Sequence, residues 1–284
     1  MGEYVTINSS ATVNHDREDI KMLELYQFEI SQFSEKVRLI LDYKGLAYRK
    51  IEVTPGMGQL DLFRLSGQRQ TPVLKDGNTI VADSTAIGLY LDKTYQDKPI
   101  IPTNPHQKAT CLLLEQWADD AIGVRGRILL LEGLKNSNLR TSILPVGTPD
   151  VLKNLIGSIP REAMDALGLG AGLTPAAIKS ATAEMHRSLE SICLLLEQNP
   201  YLTGDTPTLA DLTVAGLSLV LKIPTGNYLN IPENLKGKGI PGFADNPDYD
   251  LFFTWRDKLY SDFRKPHKSD FSSSGTSPTT IAID

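Results

Sequence analysis

The stretch Gln70-Thr71-Pro72-Val73-Leu74, followed at short range by Ala82-Asp83-Ser84-Thr85-Ala86-Ile87, decides the fold of the first part of the chain. Its proline has no backbone N–H for a sheet ladder, so Pro72 is expected at the first residue of a strand or at a sheet edge. Lys75-Asp76-Gly77-Asn78 is typical of a hairpin turn between two β-prone runs. The aspartate and serine of the second stretch can cap a helix, and free N–H groups at a helix N-terminus bind carboxylates. Together these features predict a peptide-binding site.

Two more β-prone runs and two helical segments precede this stretch. Met22–Tyr26 and Tyr48–Val53 are typical of strands, Phe33–Gly45 has apolar residues at helical spacing, and Leu60–Leu65 indicates a short helical turn. The predicted order is therefore β-α-β-α-β-β-α. A strand, a helix and a parallel strand, followed by a hairpin, form a small mixed sheet with helices on both faces. We assign this α/β unit, with its thioredoxin-like arrangement, to residues 21–96.

Beyond this unit the pattern is helical. A linker at 97–104, which contains Lys98-Pro99-Ile100-Ile101-Pro102, leads into an all-α domain predicted over 105–265. Long helices are expected over His106–Leu134 and from Pro175 to about Gln198. Thr208-Leu209-Ala210-Asp211 is a capping box that begins a helix extending to Val220, and this helix is apolar on nearly all sides. Such a helix belongs in the centre of a domain.

The remaining segments are less regular in sequence. Residues 1–20 have no sustained periodicity and are expected to be a disordered arm, and the Ser/Thr-rich residues 266–284 a disordered tail. Residues 136–172 are rich in Gly, Pro and Asn, and we interpret them as an insertion in the helical domain. Tyr249–Phe263 is predicted to form a last, aromatic-rich helix.

The composition excludes several classes of function. The 284 residues are 41% hydrophobic and 22% charged, with a formal net charge of -5, which is typical of a globular protein and argues against general nucleic-acid binding. No apolar run approaches the roughly 18 residues that a membrane span needs, and the polar start lacks the features of a secretory leader. A cytoplasmic location is therefore expected. Cys111 and Cys193 lie far apart in Leu-rich patterns and are expected in the core, and the four scattered histidines predict no metal site.

Four stretches make the chain similar to a glutathione transferase over Met22–Lys265. Ser31–Arg38 resembles the active-site loop and first helix of that family, and Tyr201–Asp211 resembles the capping box of its buried helix. The two opening stretches resemble its cis-proline turn and its acidic-Ser helix cap. The resemblance implies a serine-type cytosolic glutathione transferase: a thioredoxin-like domain, an all-α domain, a homodimer, and glutathione as co-substrate with no other cofactor.

Ser31 matches the position of the catalytic residue in the serine- and cysteine-type members. A free thiol has a pKa of about 8.5, so only a few per cent is ionised at pH 7. A hydroxyl donor to the sulfur anion is worth about 1.5–3 kcal/mol, enough to lower the thiol pKa by roughly 1–2. The dipole of the helix that follows adds to this effect. The alternative is that Ser31 only caps that helix, while Ser34 is expected as a first-turn residue and Tyr26 as a packing residue.

The resemblance implies that five further residues bind glutathione. Thr71 would present its backbone N–H and C=O to the cysteinyl backbone, next to a cis Pro72. Asp83 would hold the γ-glutamyl amine, and Ser84 would hold the γ-glutamyl carboxylate together with the helix N-terminus. Gln70 occupies a position near the glycyl end. Capping and ligand binding are compatible at Asp83 and Ser84, because one cap can serve both.

The chain also departs from the family pattern. Glu29, two residues before Ser31, would disfavour a thiolate if it pointed into the site. Gln32 stands where the family usually has proline. Because Ser31 replaces the cysteine of a thiol–disulfide exchanger, reductase chemistry through a mixed disulfide is not expected. The extra residues at 136–172 and beyond Phe243 cover the side where the electrophile would bind.

Three functions remain open on the sequence. The favoured one is glutathione conjugation, or glutathione-dependent peroxide reduction, on an apolar electrophile in detoxification or the stress response. The second is a non-catalytic module that binds a hydrophobic ligand or pigment. The third is an assembly protein that presents this fold to a protein partner. The completeness of the predicted site favours the first, since a fold alone does not give a function.

Overall fold

The computed structural model describes residues 22–54, 57–133, 150–158 and 174–267. The first part has the predicted β-α-β-α-β-β-α order. It consists of β1 (Leu23–Gln27), α1 (Gln32–Tyr43), β2 (Tyr48–Glu52), α2 (Met57–Ser66), β3 (Val73–Asp76), β4 (Thr79–Ala82) and α3 (Ser84–Thr94). Helix α2 is longer than the predicted turn, and α1 ends two residues before Gly45, which has a φ of 75°. Glycine adopts that left-handed conformation without steric cost.

The four strands form one mixed sheet in the order β2-β1-β3-β4, as predicted. Strand β1 is parallel to β2 and antiparallel to β3, and β3 is antiparallel to β4. Tyr26 lies opposite Val73, and Val73 lies opposite Ala82. The end of β1, the start of β3 and the end of β4 therefore lie at the same edge of the sheet.

The second part is largely helical. It consists of α4 (Pro105–Ala118), a π-helical turn (Asp119–Val124), α5 (Arg125–Gly133), α6 (Asp150–Gly157), α7 (Pro175–Gln198), α8 (Leu209–Leu217) and α9 (Asp250–Phe263). The helical segment predicted over His106–Leu134 is confirmed as α4, the π turn and α5. The expectation that everything beyond the linker is helical is wrong at residues 221–246, which contain a short 3-10 turn (Glu233–Leu235) and an isolated bridge between Lys222 and Gly239. Three prolines and four glycines in this segment prevent a continuous helix.

Helix α8 lies in the core, as its apolar sequence predicts. All of its residues are buried, and its predicted capping box is present. Asp211 accepts hydrogen bonds from the Thr208 N–H and the Leu202 N–H, each at 2.8 Å. A Cβ atom added at Gly216 would lie 2.5 Å from the Cα atom of Lys36, so glycine is required for α8 to approach α1 this closely. Helix α1 is thereby held between the sheet and α8.

Several predictions concern residues outside the described ranges. The arm at 1–20, most of the insertion at 136–172 and the tail beyond His267 are among these, so they stay predictions together with the domain boundaries. The N–H of His267 donates to the carbonyl of Asn227 at 2.7 Å, which ties the first residues of the predicted tail to the helical part. Cys111 and Cys193 are free and buried, as expected. No helix in the described part of the chain is long and apolar enough to cross a membrane.

Candidate functional site

The register of the sheet brings most of the predicted site residues to one edge. Ser31 follows the end of β1, Thr71 and Pro72 precede β3, and Asp83 and Ser84 follow β4. These five residues come from three separate parts of the chain. Neighbouring strands lie about 4.8 Å apart, so the edge from β1 through β3 to β4 is roughly 10 Å wide.

Ser31 is the N-cap of α1. Its N–H donates to the Phe28 carbonyl at 2.9 Å, and its Oγ accepts a hydrogen bond from the Ser34 N–H at 3.3 Å. The side chain is half-buried. A hydroxyl that accepts a capping bond still has its own hydrogen to donate. The capping role and a catalytic role are therefore compatible at Ser31.

Two nearby hydroxyl groups are placed differently. Ser34 is fully buried, and its Oγ has no hydrogen-bond partner within the described ranges. The Tyr26 hydroxyl donates to Glu24 at 3.2 Å, and its ring packs against the small cluster of Val53 and Val73, as predicted. Burial, followed by the charge of Glu24, raises the pKa of Tyr26. Ser34 and Tyr26 are thus placed as the sequence predicts, Ser34 in the first turn of α1 and Tyr26 in packing.

The Thr71–Pro72 peptide bond is cis, as the resemblance implies. Pro72 is buried against the sheet and Thr71 is half-buried, so the backbone of Thr71 lies at the edge where β3 begins. Gln70 is exposed and lies in the loop before Thr71.

Asp83 and Ser84 begin α3, and their roles as caps differ. Asp83 is the N-cap: its Oδ1 accepts hydrogen bonds from the N–H groups of Thr85 and Ala86, both at 3.0 Å. Its φ is 80°, an uncommon conformation for a residue with a side chain, and such residues cluster at functional sites. The sequence predicts capping side chains at both positions. Ser84 is instead the first residue of the helix and is 3% exposed, so Asp83 alone is the N-cap.

A buried cluster of polar side chains supports the start of α3, and sequence reasoning missed it. The Thr85 hydroxyl donates to Glu115 at 2.7 Å and to Asp119 at 2.9 Å, two contacts that one hydroxyl hydrogen makes alternately. Lys36, from the centre of α1, forms ion pairs with the same two carboxylates at 2.6 and 2.8 Å. Burial raises the pKa of Asp119 although the charge of Lys36 opposes this. The cluster therefore joins α1, α3 and α4 beneath Asp83 and Ser84.

Glu29 does not present an unbalanced charge to the site. Its carboxylate accepts hydrogen bonds from the Gln27 amide at 2.8 Å and the Asn230 N–H at 2.9 Å, and it pairs with Lys50 at 3.1 Å and Arg38 at 3.5 Å. Burial alone would raise the pKa of Glu29, but the charges of Arg38 and Lys50 outweigh it and lower the pKa to about 2. The two cations therefore balance the charge that was expected to disfavour a thiolate.

We expect Glu29→Gln to lower the free energy of unfolding at pH 7 by on the order of 2–3 kcal/mol. A carboxyl whose pKa is lowered on folding stabilises the fold above its unfolded pKa, and this stabilisation is lost as the pH falls through the folded pKa. The difference between wild type and variant should therefore shrink between about pH 5 and pH 2. Urea unfolding at pH 7 and pH 3 measures it. Glu24→Gln, at an exposed ion pair with Arg49, is the matched control, and an equal loss in both variants would contradict the prediction.

Gln32 connects the site to the helical part. Its Nε2 donates to the Gly123 carbonyl at 2.5 Å, in the π turn between α4 and α5, and its side chain is buried. A carbonyl that leaves the regular α-helical pattern is free to accept this bond, and π turns recur at functional sites. In the sequence, glutamine stands at position 32 where the family usually has proline. This replacement alone does not predict which group the side chain bonds.

An apolar cavity of about 110 Å³ adjoins the loop before Ser31. Ile30 forms one wall and α5 another, and Leu219, Val220 and residues of the 221–246 segment complete the described lining. Within the part of the chain that the structure describes, no group of His, Cys, Asp or Glu side chains is placed to hold a metal ion.

Comparisons with known proteins agree with this geometry. Residues 25–99 match the model of the glutathione S-transferase N-terminal domain. A zeta-class glutathione S-transferase of Euphorbia esula is 34% identical over 90 residues, which cover 31% of this chain and 40% of that protein. Glutathione S-transferase U2 of Arabidopsis thaliana is 31% identical over 101 residues, which cover 35% of this chain and 45% of that protein. The chain thus spans less than half the length of the curated relatives it matches.

Solved structures extend the similarity in fold to most of the chain. The beta-etherase LigF of Sphingobium sp. strain SYK-6 aligns with a TM-score of 0.62 and 18% identity, covering 84% of this chain and 95% of that one. The glutathione transferase URE2P8 of Phanerochaete chrysosporium, solved with oxidised glutathione, aligns with a TM-score of 0.58 and 16% identity over 84% of this chain and 90% of that one. The matched domain and the curated relatives thus show that the first part of the chain carries a glutathione S-transferase N-terminal domain, and the solved structures show that the common fold extends over most of the chain.

Proposed function

We propose that this protein binds glutathione and ionises its thiol at Ser31 for attack on an apolar electrophile or a peroxide. The observation that carries the proposal is the convergence of Ser31, Thr71–Pro72 and Asp83–Ser84 at one edge of the sheet. A tripeptide extends over roughly 10 Å, which matches the width of this edge from β1 to β4. The relatives are named glutathione S-transferases, which supports the same function.

The proposed binding mode follows the three elements in turn. The γ-glutamyl carboxylate is held by Ser84 at the start of α3, and its amine by the exposed carboxylate of Asp83. The cysteinyl backbone pairs with Thr71 as an added strand would. Gln70 lies beside the glycyl end. This order places the cysteinyl sulfur next to Ser31.

The proposed chemical step uses the hydroxyl of Ser31. Its Oγ accepts the capping bond from Ser34, so its hydrogen is free to donate to the sulfur. This bond stabilises the thiolate, while the thiol proton goes to solvent. The N-terminal dipole of α1 acts in the same direction. The thiolate electron pair then forms a bond to a carbon, which releases its leaving group, or to a peroxide oxygen, and in that case the O–O bond breaks with its electron pair on the departing alkoxide.

Ser31→Ala is expected to leave glutathione binding within a few fold and to raise the pKa of the bound thiol by roughly 1–2. At pH 6.5 the value of kcat/KM should then fall about 10–100-fold. Calorimetry measures the binding, and thiolate absorbance measures the titration. Ser34→Ala is the matched control, because that hydroxyl is buried without a partner among the described residues, and its kinetics should equal those of the wild type. Failure of the wild type to bind glutathione would remove the proposal.

A non-catalytic binding module is the second candidate, and the apolar cavity beside Ile30 favours it. In that case the protein binds a hydrophobic ligand with an affinity that does not depend on Ser31. A ligand whose dissociation constant is equal in wild type and Ser31→Ala, without glutathione-dependent turnover, distinguishes this function from the first.

We also propose a cytoplasmic homodimer, which the resemblance implies. Exposed apolar side chains offer surface for a second copy on three successive helices: Phe63 of α2 is 47% exposed, Leu89 of α3 is 40% exposed and Leu113 of α4 is 68% exposed.

A further inference from the structure

The side chain of Gln32 joins the start of α1 to the helical part of the chain. Its Nε2 donates to the carbonyl of Gly123 at 2.5 Å, across 91 positions of the sequence, and the residue is 4% exposed. With the amide reversed, its oxygen would face the carbonyl oxygen, so this short contact fixes which end of the amide points to Gly123. The residue next to Ser31 is therefore bonded to the π turn between α4 and α5.

Glycine in the π turn gives α1 the room to make this contact. A Cβ atom added at Gly123 would lie 2.9 Å from the Phe33 ring, and one added at Gly126 would lie 3.4 Å from the Gln32 Oε1. The first turn of α1 therefore packs directly on the backbone of the π turn. A side chain at Gly123 would displace it.

Short-range hydrogen bonds fold the residues around Ser31 into one turn. The Ser31 N–H donates to the Phe28 carbonyl, and the Ser31 carbonyl accepts the Glu35 N–H, both at 2.9 Å. These bonds fix the shape of the turn. They do not fix its position relative to the starts of β3 and α3, where the other residues of the proposed site lie, so contacts outside the turn must do so.

Such contacts hold the turn on both sides of Ser31. On the N-terminal side, the Glu29 carboxylate accepts the Asn230 N–H at 2.9 Å, and the Glu29 N–H donates to Glu52 at 2.9 Å. On the C-terminal side, the side chain of Gln32 bonds the π turn. Of these contacts, the one made by Gln32 comes from the residue directly bonded to Ser31.

We infer that Gln32 is a positioning residue: its bond to the Gly123 carbonyl holds the Ser31 hydroxyl where it can donate to the glutathione sulfur. The inference rests on the proposed function, because it adds a side chain that acts through Ser31. A hydrogen bond weakens steeply when its angle is distorted, and a misplacement of about 1 Å can slow a catalysed reaction roughly 100-fold. Loss of the Gln32 bond should therefore reach the thiol through Ser31.

The test begins with Gln32→Met, which removes the donor and keeps the length of the side chain. The variant should bind glutathione nearly as well as the wild type. It should raise the pKa of the bound thiol by roughly 0.5–1, and so lower kcat/KM at pH 6.5 about 3–10-fold. Thiolate absorbance and initial rates measure these changes. Gln107→Met is the matched control, because its Nε2 also donates to a carbonyl far along the chain, that of Thr203 at 3.3 Å, and it should leave the thiol unchanged.

The same substitution in Ser31→Ala separates positioning from a general loss of structure. If Gln32 acts through Ser31, Gln32→Met should not change the thiol pKa in Ser31→Ala, since the hydroxyl that it positions is absent. A general loss of structure would raise the thiol pKa equally in both backgrounds. Equal shifts in this double-mutant cycle, or no shift from Gln32→Met in the wild type, overturn the inference.

Gly123→Ala perturbs the same contact from the other side. Its Cβ should displace the first turn of α1 through the Phe33 ring, so the thiol pKa should rise in the wild type and not in Ser31→Ala. If Gln32→Met does not fold, this second cycle is the test. Equal shifts in the two backgrounds, or none in the wild type, again overturn the inference.

Hydrogen exchange of the Ser34 amide is a readout that needs no glutathione. Its N–H donates to the Ser31 Oγ at 3.3 Å, so its protection reports how Ser31 is held. Exchange measured by NMR should be several-fold faster in Gln32→Met than in Gln107→Met, and equal rates overturn the positioning role. Failure of the wild type to bind glutathione removes the proposed function instead, and exchange at Ser34 then tests by itself whether Gln32 positions Ser31.

Discussion

Replacing Arg264 by leucine is expected to lower the free energy of unfolding by about 3–5 kcal/mol. The guanidinium follows α9 and reaches α1, where it donates to Glu35 at 2.9 Å and to Asp42 at 2.5 Å. The three side chains are between 0% and 4% exposed. Burial raises the pKa of Asp42 although Arg264 opposes this. Leucine fills part of the space but leaves the Asp42 carboxylate buried without its cation. Burying this unpaired charge costs more free energy than the ion pair itself contributes to stability.

Urea unfolding followed by circular dichroism measures this loss, with Arg49→Leu as the matched control. Arg49 also forms an ion pair, with Glu24 at 2.7 Å, but its side chain is 62% exposed. An exposed pair contributes between about 0 and 1 kcal/mol, so the control should stay within that range. Equal losses in the two variants would show that the buried network contributes no more than a surface pair.

The second large effect is expected for Lys36→Met, again about 3–5 kcal/mol. Lys36 has no exposed surface and pairs with both Glu115 and Asp119. Its removal leaves two carboxylates close together without a cation. Because the Thr85 hydroxyl joins the same cluster, the start of α3 should shift as well. If Asp83 and Ser84 bind glutathione as proposed, its dissociation constant should rise about ten-fold.

The pH dependence separates this cause from a loss of packing. Burial raises the pKa of Asp119, and a carboxyl whose pKa is raised on folding destabilises the fold once it ionises, so the loss in Lys36→Met should be larger at pH 8 than at pH 5. Unfolding at both pH values measures it. Lys258→Met is the matched control, since that lysine is 71% exposed and pairs with Asp262 at 2.7 Å. A loss in Lys36→Met that does not change with pH would contradict the electrostatic explanation.

Local patterns in the sequence were sufficient for most of the fold. Proline and glycine at turns, capping residues at helix starts and apolar spacing act within a few residues, so they are visible without tertiary contacts. The β-α-β-α-β-β-α order, the capping box at Thr208 and the buried character of α8 were predicted in this way and are confirmed. Local patterns did not predict the irregular path of 221–246, although its three prolines and four glycines are visible in the sequence.

The same distinction applies to the site, where the candidate residues and their surroundings come from different kinds of information. The sequence by itself determined which residues are candidates, Ser31, Thr71–Pro72 and Asp83–Ser84, because each belongs to a short stretch that resembles the family. Only the tertiary structure decided what surrounds them: the pairing of Lys36 and Arg264 with carboxylates of α1 and α4, the charge balance at Glu29, and the aliphatic walls of the cavity. These contacts join residues far apart in the chain, and most of their energy comes from burial. Neither the partner nor the burial of a charged side chain can be read from its neighbours in sequence.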